Sequence, residues 1–265
     1  MTRVSLPLSL LPLALLLSLP AAAADLSARD VAKKAADAGA PAALRQAITM
    51  TLTDAKGTKT TRAMTIVHKK VGTSGDAALW NTRIEFQAPK DVAGTVLLSL
   101  DKAKGGADQY LYLPGIKRVR RVGGSQKSGS FQGSDFAYED LGSRELDSAD
   151  YALLADEKIG ADDCYQLQAI PRKRVDTGYG KMLLDVRKSD FLTLRARYFD
   201  AKGVELKTLT VDAATVKVQG ETRIPQHLEM KTAKDGHATA LDVTEIAIDP
   251  KIDDAIFDPA SLDRG

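Results

Sequence analysis

The chain has 265 residues, with 37 Lys and Arg against 35 Asp and Glu, 44% hydrophobic residues and 5% aromatic ones. A near-neutral balance argues against nucleic acid as a partner. The single cysteine, Cys164, rules out an internal disulfide and reads as a buried thiol within a strand.

Met1–Arg3 carries a positive charge, Val4–Leu19 is apolar and leucine-rich, and Ala21–Ala24 offers small residues before Asp25. This order predicts a cleavable secretory signal peptide over 1–24, and hence the periplasm. An uncleaved anchor fits less well, because the run is short and holds Pro7 and Pro12. The mature chain would hold 241 residues (265 − 24), with 36 basic against 35 acidic once Arg3 is gone. That length suits one β domain, 25–265.

Leu26–Asp37 predicts a helix, with Ser27 as its cap, Asp30 three residues on, and Gly39 and Pro41 closing it. Its apolar side is mostly alanine, so it should lie against other elements. Strand texture begins at Leu44 and returns after the Ala55-Lys56-Gly57 turn. Val71–Asp76 reads as a glycine-containing loop. In Leu79–Phe86, Trp80, Thr82, Ile84 and Phe86 alternate with Asn81, Arg83 and Glu85, the signature of a strand buried on one side. Gly94–Leu100 and Tyr110–Leu113 follow, the latter pairing with Ile116–Val122 across Pro114-Gly115. Gly123–Asp135 reads as a long loop and Tyr138–Leu141 as one helical turn. Strands return over Tyr151–Glu157, Cys164–Ile170, Lys181–Arg187, Thr193–Phe199 and Val204–Val218, then in a last hairpin, Gln226–Thr232 with His237–Ile248. There the apolar face switches from Leu241 and Val243 to Ile246 and Ile248, which predicts a bulge near Thr244. One helix and about ten strands with turn signals mean a large antiparallel sheet that curls or closes, and a sandwich stays open.

The informative stretch is Tyr110–Leu141. Lys117, Arg118, Arg120, Arg121 and Lys127 precede any acid, and the cations of Ile116–Val122 fall on both strand faces. Such a strand belongs at an edge, at a rim or beside acids, because a buried unpaired charge is costly. In the loop, Phe131 is an isolated aromatic, expected to act as a gate over a cavity mouth. Glu139 and Asp140 read as counter-charges to the basic cluster. No catalytic set stands out: His68, His227 and His237 lack ligand spacing, and GSFQGSDF and GSQKSGS fit neither a nucleophile elbow nor a phosphate loop. No enzyme activity, cofactor or metal is expected.

The segments YLYLPGIKRVRRV and KSGSFQGSDFAYEDL, with FQAPKDVAGTVLL (86–98), YFDAKGVELK (198–207) and FDPASLDR (257–264), resemble the outer-membrane lipoprotein-sorting protein family. The resemblance implies a LolA/LolB-like fold: mainly β, one curled antiparallel sheet forming a half-open barrel, with an N-terminal helix and short helical lid elements. It implies a periplasmic carrier of lipoprotein or lipid acyl chains that meets membranes transiently and is often paired with an inner-membrane RND/MMPL-type transporter. The expected ligand site combines Trp80, Ile84, Phe86, Tyr110, Tyr112, Phe131 and Phe136. The expected headgroup or partner site is Lys117, Arg118, Arg120, Arg121 and Lys127. The alternatives are a non-catalytic envelope adaptor whose cavity is self-filled and, last, a hydrolase.

Overall fold

The computed structural model describes residues 26–262 apart from 76, 105 and 221, so the expected signal peptide lies outside the described residues. Helix α1 (Ala28–Asp37) begins as its sequence requires: Ser27 accepts from the Asp30 amide at 3.1 Å, and the Asp30 carboxylate accepts in return from the Ser27 amide and hydroxyl.

Sixteen strands follow among the described residues: β1 (Ala43–Thr53), β2 (Lys59–Ser74), β3 (Ala77–Ala88), β4 (Val96–Asp101), β5 (Ala107–Leu113), β6 (Arg118–Val122), β7 (Ala149–Leu153), β8 (Glu157–Ile159), β9 (Asp162–Pro171), β10 (Lys181–Arg187), β11 (Thr193–Phe199), β12 (Glu205–Val211), β13 (Lys217–Gln219), β14 (Thr222–Ile224), β15 (His227–Thr232) and β16 (Ala238–Ile248). Fourteen form one antiparallel sheet in the order β6-β5-β4-β3-β2-β1-β16-β15-β12-β11-β10-β9-β7, with β8 also on β9. The two end strands do not pair, so the sheet is an open half-barrel. The ten-residue α1 touches β3 on one arm and β7 and β9 on the other, so the sheet curls enough for one short helix to bridge its arms.

Three expectations need correction. The stretch 71–74 is not a loop but the end of β2, in a hairpin that runs beyond the core and so shows no buried face. Val204–Val218 breaks at a 3-10 turn over Ala213–Thr215, where the Asp212 carboxylate accepts the Ala214 amide. Tyr151–Glu157 divides between β7 and β8. The bulge falls where the apolar face switches: Ala47 faces Glu245 and Ile48 faces Val243, leaving Thr244 unpaired.

The concave face carries the main core, in which Ile48 and Met50 of β1, Met64 and Ile66 of β2, Ile84 and Phe86 of β3, and Met230 and Leu241 of the last hairpin meet. α1 closes the same side, with Val31 and Ala32 against Leu146, Leu167 and Val186. The convex face of the β1–β6 arm is covered by the C-terminal segment, where Ile252 and Phe257 pack on Ala43 and Val67, and Leu262 packs on Val96 and Leu98.

Candidate functional site

Residues 123–144 leave β6 and cross the concave face as a strap. Its tip is a tight turn: the Phe131 amide donates to the Phe136 carbonyl at 2.7 Å, with Gln132 and Gly133 both at positive φ. The turn drives Phe131 inward, where it is 0% exposed. Its ring lies 5.6 Å from Phe86 and meets Tyr138 edge-on at 5.5 Å. Phe136, Tyr138 and Leu141 pack on the same cluster. The Arg62 guanidinium sits over the Phe86 ring and donates to the Gln132 carbonyl at 2.5 Å, fixing the tip against β2. The segment read as a long loop with Phe131 as a gate over a cavity mouth is a packed strap, with Phe131 buried in the main core. A surface hollow of about 640 Å³ lies beside β5–β6 against the first residues of the strap, 123–127, and another of about 410 Å³ lies under the C-terminal segment.

Two strap carboxylates hold it down over β12, β15 and β16. Asp135 accepts from Thr232 Oγ1 at 2.5 Å, Thr239 Oγ1 at 2.6 Å and His237 Nδ1 at 2.8 Å. Asp140 accepts from Lys207 Nζ at 2.5 Å, the Tyr179 hydroxyl at 2.8 Å, the Ala137 amide at 2.7 Å and Arg144 Nη2 at 3.1 Å. Lys207 Nζ also donates to the Asp135 carbonyl at 3.0 Å. Arg144 and Lys207 both lie over the rings of Tyr179 and Tyr198. Burial pushes the Tyr198 phenol up to about 12, and burial together with Asp140 drives that of Tyr179 higher still, so both remain hydrogen-bond donors. Glu139 accepts from Thr177 Oγ1 at 2.5 Å and from the Gly178 amide at 3.0 Å, tying the strap to the segment before β10. The expectation for Glu139 and Asp140 is thus corrected: the counter-charges of Asp140 are Lys207 and Arg144, not the basic strand. Lys207 was legible as an anomaly, since it falls in phase with Leu209 on β12 and with its partner Tyr198, where an apolar residue is expected.

The expected ligand residues divide. Ile84, Phe86, Phe131 and Phe136 meet in the concave core. Trp80 is half-buried on β3, outside that cluster. Tyr110 and Tyr112 lie on the other side of the sheet, opposite Leu98 and Val96 and in the cluster of Leu262. Alternation made Leu111 the inward residue of β5, so its neighbours point outward.

Strand β6 is an edge, one of the places its charges allow. Lys117, Arg118, Arg120 and Arg121 are exposed, and Lys127 is half-buried with Nζ donating to the Ala107 carbonyl at 3.1 Å. Among the described residues, Arg121 is the only one of the five in an ion pair, 2.6 Å from Asp108. Arg118 and Arg120 face Leu113 and Leu111 across the hairpin, which sets them on the concave side at its rim.

A family model described as "Uncharacterized protein" matches residues 80–264. No curated protein matches the chain. Among solved structures, a protein from Vibrio parahaemolyticus described as an outer membrane lipoprotein-sorting protein domain is 30% identical over 89% of this chain and 98% of its own, with a TM-score of 0.81. A DUF1329 family protein from Desulfovibrio piger is 28% identical over 89% and 97%, with a TM-score of 0.82. A LolA superfamily protein from Nitrosomonas europaea shares the fold at a TM-score of 0.69 and 19% identity, over 88% of this chain and 98% of its own. An open half-barrel closed by a strap, matched almost end to end at this identity, belongs to the outer-membrane lipoprotein-sorting protein family, with its LolA-like fold.

Proposed function

We propose that this protein is a non-catalytic periplasmic carrier that holds an acylated lipoprotein or a lipid on its concave face in transit between the inner and outer membranes. The observation that carries the reading is an apolar floor running across the sheet that is covered by a strap of chain instead of by strands. A strap can exchange with a ligand, whereas a sheet strand cannot leave without breaking its ladder. Each acyl methylene buried there contributes about 0.8 kcal/mol, so a chain of about ten methylenes offsets the loss of two buried phenylalanines. On this reading Ile84 and Phe86 form the floor, and Phe131 and Phe136 are the groups the acyl chain displaces. Arg118 and Arg120 at the rim meet an anionic headgroup or an acidic partner, for which an inner-membrane transporter of RND/MMPL type is the proposed candidate.

Native mass spectrometry after gentle extraction tests the reading, and a copurifying lipid or acylated peptide is the expected result. A second reading is favoured by the complete burial of Phe131: an envelope adaptor whose concave face is permanently self-filled. A lipid-free mass under every gentle condition, together with no uptake of a fluorescent fatty acid, would select the adaptor.

A further inference from the structure

The wall beneath the strap is lined by donors. Lys207 has a side chain 9% exposed, and around it stand the hydroxyls of Tyr179, Thr232 and Thr239 and the imidazole of His237. All of them donate to two carboxylates, Asp135 and Asp140, each with a side chain 3% exposed and both carried by the strap. The wall elements β12, β15 and β16 bring no carboxylate to this spot: Asp242 pairs with His227, Glu205 with Thr208, and Glu229 and Glu245 are exposed. The strap is thus an intramolecular anion seated in a donor-lined site. Lifting it would leave an ammonium and at least three hydroxyls facing an acyl chain without acceptors, which is strongly unfavourable in a dry site.

We infer that the inner wall formed by Lys207, Thr232, Thr239, His237 and Tyr179 is an anion site, and that the ligand which displaces the strap carries an acidic headgroup, a phosphate or carboxylate, that replaces Asp135 and Asp140. The inference rests on the carrier reading and names its ligand class: an anionic single-chain or double-chain lipid, ahead of a neutral acylglycerol or a cationic amphiphile. The exchange keeps the wall donors supplied, since one set of buried acceptors leaves as another enters. The exposed rim cations Arg118 and Arg120 then act at first contact, and the inner wall sets selectivity.

Binding of three ligands with one common acyl chain tests this on the wild-type protein: lysophosphatidic acid, a monoacylglycerol and an alkylamine. The acid is expected to bind roughly ten- to hundredfold more tightly than the monoacylglycerol, the worth of one charge-assisted hydrogen bond in a dry site. Inorganic phosphate alone is expected not to bind, because the chain is what lifts the strap. Lys207→Gln should remove the headgroup preference and keep binding of the monoacylglycerol. Asp140→Asn, which leaves Lys207 without its carboxylate counter-charge in the empty protein, should widen the preference. Equal affinities for acid and monoacylglycerol, or phosphate binding to the strapped protein, overturn the anion site while the carrier reading stands. A preference lost in Arg118→Glu/Arg120→Glu but kept in Lys207→Gln also overturns it, by moving the headgroup to the rim. No binding of any of the three refutes the carrier reading itself.

Discussion

Truncating Phe131 to alanine asks whether the strap is a plug that cargo removes. The ring is fully buried between Phe86 and Tyr138, and the turn that presents it is pinned by Arg62. Removing a buried phenylalanine costs about 3–5 kcal/mol. For a domain of roughly 240 residues the unfolding entropy is about 0.5 kcal/mol/K, so the melting temperature should fall by about 6–10 °C. The loss should not be uniform. Amides at 129–141 should lose exchange protection more than those of β1–β3, whose ladders do not involve the ring. A fluorescent fatty acid should enter faster and bind more tightly, because the competing plug is weaker. Three measurements on one variant therefore decide the matter: a thermal melt, amide exchange and fatty-acid uptake. A shift of under about 2 °C with unchanged protection of 129–141 would refute the assignment of Phe131 as the plug. A large shift with slower uptake would refute displacement by cargo.

Lys207→Met should cost about 1.5–3 kcal/mol in urea unfolding, because it removes the shorter of the two ion pairs of Asp140 at a site closed to water and leaves Arg144 as its remaining counter-charge, and a loss under about 1 kcal/mol would show that water reaches the pair. Ile84→Glu places a charge in the floor, where the native side chain is buried, and should abolish either folding or uptake, with normal values of both sinking the face assignment. Burial holds the His68 imidazole at about 4, below the ordinary 6.5. Its neutral form is therefore favoured in the fold, so its contribution is complete above about pH 6.5 and is lost as pH falls toward 4, by at most about 3 kcal/mol. Urea melts near pH 4.5 and near pH 7 should differ less in His68→Gln than in the wild type, and equal differences would show that His68 is not the group responsible. Arg118→Glu with Arg120→Glu should leave the melt within about 1 kcal/mol of wild type, since exposed charges contribute little to folding, while weakening any salt-sensitive association.

Features that depend on neighbours along the chain are readable from the residues alone. Ser27 and Asp30 specify the helix start because both partners of the capping box lie within one turn. The period-2 pattern of β3 put Ile84 and Phe86 on one face, and the phase slip after Val243 located the bulge at Thr244. The cations of β6 limited that strand to an edge, a rim or a place beside acids, and the sheet order makes it an edge. Alternation, however, tells only which residues share a face, and is silent on what covers that face. The expected ligand site places Tyr110 and Tyr112 with Phe131, yet Leu111 turns inward and the C-terminal segment, some 150 residues along the chain, covers the other side. The strap escaped in the same way. Its glycines and serines signal local freedom, and nothing local shows that Asp135 meets Thr239 or that Asp140 meets Lys207, contacts 104 and 67 residues apart in sequence. Only closure of the half-barrel brings β12, β15 and β16 under the strap. An inward-phased lysine on β12 then becomes the partner of an acid that a linear reading assigns to the basic strand nearest it.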